Sequence, residues 1–284
     1  MLTLRQATKN KSSDRHLYAV GRIRVLETRL LDRDILRDLI EAPGLKEAYA
    51  ELRDTDYGEG VVETEETLDF ERMLDTETRN LFQLLDSMSP DPELTDLFVF
   101  PYDIQNLKIL FKAELGGSPE PEKYYALGRL ELSDLRSLVQ EEPEAAARLP
   151  QWITEAAREV YEAWKKNSKL RVIDAVLDRA LVKYQITEAA RSRRPIIVNY
   201  FQFITDINNV EAYIRIRIHE RSSRQFEEFF IPGGSLSLSF FKDSWKTSVR
   251  DLTRHFENTP FAQMVVKSLE EYKVEGSLTM MELE

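Results

Sequence analysis

The stretch Asp103-Ile104-Gln105-Asn106 recurs as Asp206-Ile207-Asn208-Asn209, 206 minus 103 or 103 residues later and without a gap. Leu74-Asp75 falls on Leu177-Asp178 at the same offset. The apolar positions that follow keep step: Leu107 with Val210, Leu110 with Tyr213, Phe111 with Ile214, Leu115 with Ile218. A period this long exceeds that of solenoid repeats, so the reading is duplication of a helical subdomain. After Asn106 the apolar residues lie on one 3.6-residue face. Tyr213 to Ile218 alternates like a strand when taken alone, but the register with its counterpart predicts a helix in both places. In each copy the aspartate stands where an N-cap belongs, so Asp103 and Asp206, with Asn106 and Asn209 beside them, read as structural caps of the repeat.

Working outward, a second element recurs. Leu36, Leu39, Ile40, then Pro43, then Leu45, Ala48, Tyr49 and Leu52 reads as helix, proline turn, helix. Leu135, Leu138, Val139 with Pro143 and Ala145 to Ala147 is a weaker copy, and Leu252, Phe256, Pro260, Phe261, Val265, Leu269 a third. Trp152, Ile153, Ala156, Ala157, Val160, Tyr161 and Trp164 form an apolar helical stripe whose tryptophans read as core. Chain-breaking residues cluster at Gly116-Gly117-Ser118-Pro119 and Pro232-Gly233-Gly234-Ser235. The expected organisation is an all-α chain of three pseudo-equivalent units: 1–117, 118–234 and an incomplete 235–284. The third would need an Asp-bearing helix near 206 plus 103, position 309, so the sequence reads as cut short.

Composition narrows the function. With 42% hydrophobic and 31% charged residues the chain is foldable, and its net charge of −11 argues against general nucleic-acid binding. The absence of cysteine excludes disulfides, thiolate metal sites and thiol nucleophiles and fits an intracellular location. Residues 1–15 lack the apolar core of a secretory signal, and stretches such as 196–204 are too short to span a bilayer. His16, His219 and His255 are scattered, and no phosphate-cradling loop or nucleophile elbow occurs. Asp32 and Asp34 suggest the metal-binding aspartates of an isoprenoid synthase, but the interleaved Arg29, Arg33 and Arg37 favour a salt-bridged helix face. Glu59 to Glu71 reads as a solvated acidic segment. Arg215, Arg217, Arg221 and Arg224, near Arg191, Arg193 and Arg194, form a candidate partner surface, the plainer alternative being exposed helix faces.

The run from Tyr18 to Leu31, the turn Thr55-Asp56-Tyr57-Gly58, the two Asp-Ile words and Phe230-Ile231-Pro232-Gly233-Gly234-Ser235 together resemble the C subunit of A/V-type rotary ATPases, called the d subunit in the eukaryotic enzyme. The resemblance spans nearly the whole chain. It implies a funnel-like all-α protein of three helical domains in a pseudo-threefold arrangement. It also implies a non-catalytic role, without cofactors, linking the central-shaft subunits to the membrane proteolipid ring in proton or sodium transport. Such a protein sits peripherally on the cytoplasmic face, with no transmembrane segment of its own and no nucleic-acid partner. The alternative is an unrelated all-helical scaffold or adaptor.

Overall fold

The computed structural model describes residues 17–53, 55–60, 70–89, 91–121, 124–141, 147–219 and 222–275. These residues are all-helical, with no strand among them. The chain divides into two compact units: residues 1–103 with 124–129, and residues 104–123 with 130–284.

In the first unit a helix over residues 17–27 (α1) precedes α2 (Arg33–Glu41) and α3 (Leu45–Leu52). Asp32 caps α2, its Oδ1 accepting the amides of Asp34 and Ile35 at 2.9 Å. Asp34 pairs with Arg37 at 2.7 Å, while Arg29 turns to Asp56 at 3.5 Å. The Asp32/Asp34 pair is thus a cap and an i,i+3 ion pair, both elements of helix structure. Pro43 separates α2 from α3 as the helix-turn-helix reading requires. Tyr49 and Leu52 of α3 pack with Met73 of α4 (Phe70–Met88), with Leu31, Leu39 and Tyr57 at the edge. The next helix, α5 (Pro92–Gly116), contributes buried Leu97, Val99 and Phe100. Most of the acidic segment 59–71 lies outside the described residues.

The second unit holds α6 (Leu132–Val139), α7 (Gln151–Lys166), α8 (Leu170–Arg191), α9 (Pro195–Ile218), α10 (Ser223–Phe229), α11 (Leu238–Asp243), α12 (Leu252–Phe256) and α13 (Ala262–Glu275). The α7 stripe buries Ile153, Ala156, Ala157 and Val160, and Trp152 stacks on Tyr184 of α8 at 4.4 Å. Tyr213 to Ile218 is helical: the alternating pattern is the end of α9, with Tyr213, Ile214, Ile216 and Arg217 buried. Tyr213, Phe226, Phe241 and Phe256 meet in an aromatic core with Leu252, Phe261, Val265 and Leu269. The third helix-turn-helix is present as α12, a turn at Thr259-Pro260, and α13. In the second copy Pro143 and residues 145–146 lie outside the described residues.

The repeat shows in the helix starts. Pro92 plus 103 is Pro195, so α5 and α9 both begin on the proline of the same repeat position. Proline is suited to the first helical turn, where its missing N–H has no intrahelical partner.

Candidate functional site

Because α5 and α9 begin on those prolines, Asp103 and Asp206 lie eleven residues inside their helices. They do not cap them, and the N-cap expectation is corrected. Both are buried, with relative exposures of 0% and 1%, as are Asn106 and Asn209 three residues on. A buried carboxylate needs donors to replace water. Each aspartate takes them from a glycine-containing turn further along the chain.

Asp206 Oδ2 accepts the Ser235 amide at 2.7 Å and the Ser235 hydroxyl at 2.6 Å, and Oδ1 accepts the Leu236 amide at 3.0 Å. One turn along α9, Asn209 makes a two-way pair with Ile231: its Nδ2 donates to the Ile231 carbonyl at 2.7 Å and its Oδ1 accepts the Ile231 amide at 2.8 Å. Gly234 lets the turn come this close, since a Cβ there would lie 2.0 Å from Asp206 Oδ1. The Asp and Asn together hold the segment 231–236 flat against the middle of α9.

The first copy is built the same way. Asp103 Oδ2 accepts the Arg129 amide at 2.9 Å, and a Cβ on Gly128 would lie 2.1 Å from Asp103 Oδ1. The Arg129 side chain adds a clamp: its guanidinium donates to Asp86 on α4 through two bonds of 2.5 Å and to Asp96 on α5 at 2.7 Å. The bonds from Arg129 hold the Asp86 carboxyl below its usual range, and Asp86 in turn raises the Arg129 guanidinium. In the second copy Ser235 replaces Arg129, and the positions of Asp86 and Asp96 become Ala189 and Asn199 at the 103-residue offset. The arginine and its two acids change together.

The turns themselves repeat. Gly128-Arg129-Leu130-Glu131-Leu132-Ser133 aligns with Gly234-Ser235-Leu236-Ser237-Leu238-Ser239 at 234 minus 128, an offset of 106. Glu131 and Ser237 are the N-cap residues of α6 and α11, and the fourth residue of each helix, Leu135 or Phe241, is fully buried. From sequence alone Gly233-Gly234-Ser235 reads as a linker. The three-residue change of offset conceals the second word from a search at 103.

The arginine cluster is divided. Arg217 is 7% exposed: Nη1 donates to the Tyr213 hydroxyl at 2.7 Å and the Ser244 carbonyl at 2.8 Å, and Nη2 to the Thr247 carbonyl. Its guanidinium lies over the rings of Tyr213 and Trp245, at 5.6 and 5.2 Å from their centroids. Ser244 is the C-cap of α11, so the cation meets carbonyls left open at a helix end. Burial raises the Tyr213 phenol, against the opposing effects of Ser244 and Arg217. Arg217 therefore belongs to the core and leaves the candidate partner surface. Arg215 is half-buried, Arg224 exposed, and Arg221 lies outside the described residues.

Two lysines of α5 tie it to α8: Lys108 to Asp178 at 2.5 Å and Lys112 to Asp174 at 2.6 Å. Burial raises the Asp178 carboxyl even with Lys108 beside it. A cleft of about 590 Å³ between α7 and α8 is bordered by Glu155, Glu159, Arg179, Lys183 and the Trp152–Tyr184 stack. Its charges of both signs converge on no single group. Among the described residues no group of three or more His, Asp or Glu is placed to hold a metal, and no helix is long and apolar enough to cross a membrane. What the buried polar residues do is fasten helices to turns.

Comparison with known proteins agrees with this reading. The ATP synthase (C/AC39) subunit family matches residues 19–284. The chain is similar to the C subunit of the V-type sodium ATPase of Enterococcus hirae, 22% identical over 253 residues, 89% of this chain and 76% of that protein. It is similar to the C subunit of the A-type ATP synthase of Methanocaldococcus jannaschii, 25% identical over 282 residues, covering 93% and 70%. Its counterpart in the A-type ATP synthase of Thermococcus kodakarensis is 23% identical, covering 89% and 71%.

Proposed function

The chain belongs to the ATP synthase (C/AC39) subunit family, and from that premise we propose that it is the non-catalytic coupling subunit of a rotary A/V-type ATPase. It joins the foot of the central shaft to the membrane proteolipid ring, from the cytoplasmic face, during proton or sodium transport. The single observation that carries this reading is the family match over residues 19–284, nearly the full chain.

The geometry supports it in a specific way. The buried carboxylates Asp103 and Asp206 are committed to backbone amides, and the buried guanidinium of Arg217 to carbonyls and aromatic rings. Groups fixed in this manner stiffen a body that must transmit torque. The same sequence words recur along it, which supports three related helical units with boundaries near 117 and 234 around a pseudo-threefold axis. An opening between such units would offer the shaft a similar face from each. Of the arginine cluster, Arg215 and Arg224 remain as the candidate partner residues. Contacts of this kind are screened by salt, so shaft binding weakens as ionic strength rises.

The test is functional replacement. A rotary ATPase reconstituted without its C subunit and supplied with this chain should regain ATP-driven ion uptake into vesicles, while the chain alone hydrolyses no ATP. Failure to restore uptake by an assembly that its own C subunit rescues would overturn the reading, as would hydrolysis by the isolated chain. An unrelated helical scaffold or adaptor would give the first of these failures.

A further inference from the structure

A third copy of the glycine turn stands at the start of the chain and, among the described residues, holds no carboxylate. Tyr18-Ala19-Val20-Gly21-Arg22-Ile23 matches Tyr125-Ala126-Leu127-Gly128-Arg129-Leu130 with one offset, 125 minus 18 or 107, and only conservative changes. In the second copy the word forms a turn: Gly128 and the Arg129 amide receive Asp103, and the Arg129 side chain receives Asp86 and Asp96. In the first copy the same word lies within α1, and among the described residues the one hydrogen bond of the Arg22 side chain goes to the Tyr18 hydroxyl at 3.3 Å.

The apolar side chains around it differ in the same sense. Val20 is 51% exposed where its counterpart Leu127 is 9% exposed. The fourth residue of the following helix is fully buried as Leu135 in α6 and Phe241 in α11, yet its equivalent in α2, Leu36, is 46% exposed. Ile40 at the eighth position is 84% exposed, against 3% for Val139. The word and its helix present an Arg, a glycine and an apolar face, and each in its copies is covered by an Asp-bearing helix.

We propose that Gly21-Arg22 and the apolar face of α2 are a docking site for a third helix of the α5 type, an amphipathic helix with a clamping aspartate and an acid seven residues before it. The helix comes from outside these 284 residues. A second copy of this chain has none to spare, because its α5 and α9 are already held by their own turns. On docking, residues 18–23 leave the α1 helix and take up the turn seen at 125–130. Two features of α1 make that change easy: it is short and exposed, and it carries a glycine, the weakest helix former after proline. The acid seven residues before the clamp is the partner specified by Arg22, as Asp96 is by Arg129. The inference rests on the internal repeat alone and stands apart from the coupling role.

The substitution Gly21→Ala separates docking from stability. It favours the α1 helix, yet in both copies a Cβ at this position would lie 2.0 to 2.1 Å from the clamping carboxylate. The probe is a fluorescently labelled synthetic peptide of residues 92–116, titrated with the 284-residue chain and followed by anisotropy. Binding at or below about 100 μM is expected, weakened at least about tenfold by Gly21→Ala or Arg22→Glu in the chain or by Asp103→Asn in the peptide. A peptide with Asp96→Arg should recover binding to the Arg22→Glu chain. Absence of binding to a chain whose circular dichroism is native overturns the proposal, as does binding indifferent to Gly21 and Arg22. Arg22-dependent dimerisation of the chain alone, seen by sedimentation, would assign the site to a second copy and overturn it too.

Discussion

Replacing Asp206 by Ala should cost far more than losing a helix cap. Three donors lose their acceptor: the Ser235 amide, the Ser235 hydroxyl and the Leu236 amide, at 2.7, 2.6 and 3.0 Å. Hydrogen bonds to a charged group contribute about 1.5–3 kcal/mol each, and the turn residues are half-buried, so water reaches the freed donors and the low end applies. The expected loss is about 3–4 kcal/mol, against ~1 kcal/mol for a removed N-cap. Asp206→Asn keeps one acceptor and should lose about half as much. The three tryptophans, Trp152, Trp164 and Trp245, all lie in the unit whose α9 carries the far end of the Asp206 tether, so urea unfolding followed by tryptophan fluorescence reads the right body. A loss of about 1 kcal/mol or less with an unchanged slope would refute the tether and return Asp206 to the role of an ordinary cap.

Gly234→Ala should destabilise the same unit by about 2 kcal/mol or more, because its Cβ would lie 2.0 Å from Asp206 Oδ1; thermal melting checks this. Arg217→Ala should lower stability by about 3 kcal/mol, since Ser244 and Thr247 lose a buried donor and two rings lose a cation, and the loss should appear in urea unfolding without any partner present. Asp86 has a depressed folded pKa, so the stability it contributes is present above its unfolded value near 3.8 and is lost as pH falls through the folded one. Arg129→Met should therefore flatten the acid limb of the stability curve below about pH 4, measured by urea unfolding at a series of pH values.

Much of the fold can be read from the sequence because a duplicated chain carries its own control. Tyr213 to Ile218 resolves as helix through its register with residues 110–115, where periodicity alone points to a strand. The two aspartates are misplaced by sequence for a local reason. Pro101 just ahead of Asp103 suggests a helix beginning there, whereas α5 runs through that proline from Pro92. The better signal is Pro92 and Pro195, which share the same offset as the aspartates. The tethers span 26 to 30 residues, beyond the reach of any capping rule. They become legible only when Gly128 and Gly234 are aligned at 106 instead of 103. Arg217 is readable once its segment is taken as helical, since it lies one turn from Tyr213 on the face that carries Val210 and Ile214. Composition counts it as surface charge because arginine is seldom buried without a carboxylate. Here carbonyls at a helix end and two aromatic faces take the carboxylate's place.

The coupling role is most directly tested by native mass spectrometry of the chain mixed with a detergent-solubilised proteolipid ring and the central-shaft subunits of a rotary ATPase. The proposal requires a ternary complex with one copy of the chain per ring, persisting at low salt and dissociating as ionic strength rises. Ring and shaft that associate with their own C subunit under the same conditions, but leave this chain free, would contradict it.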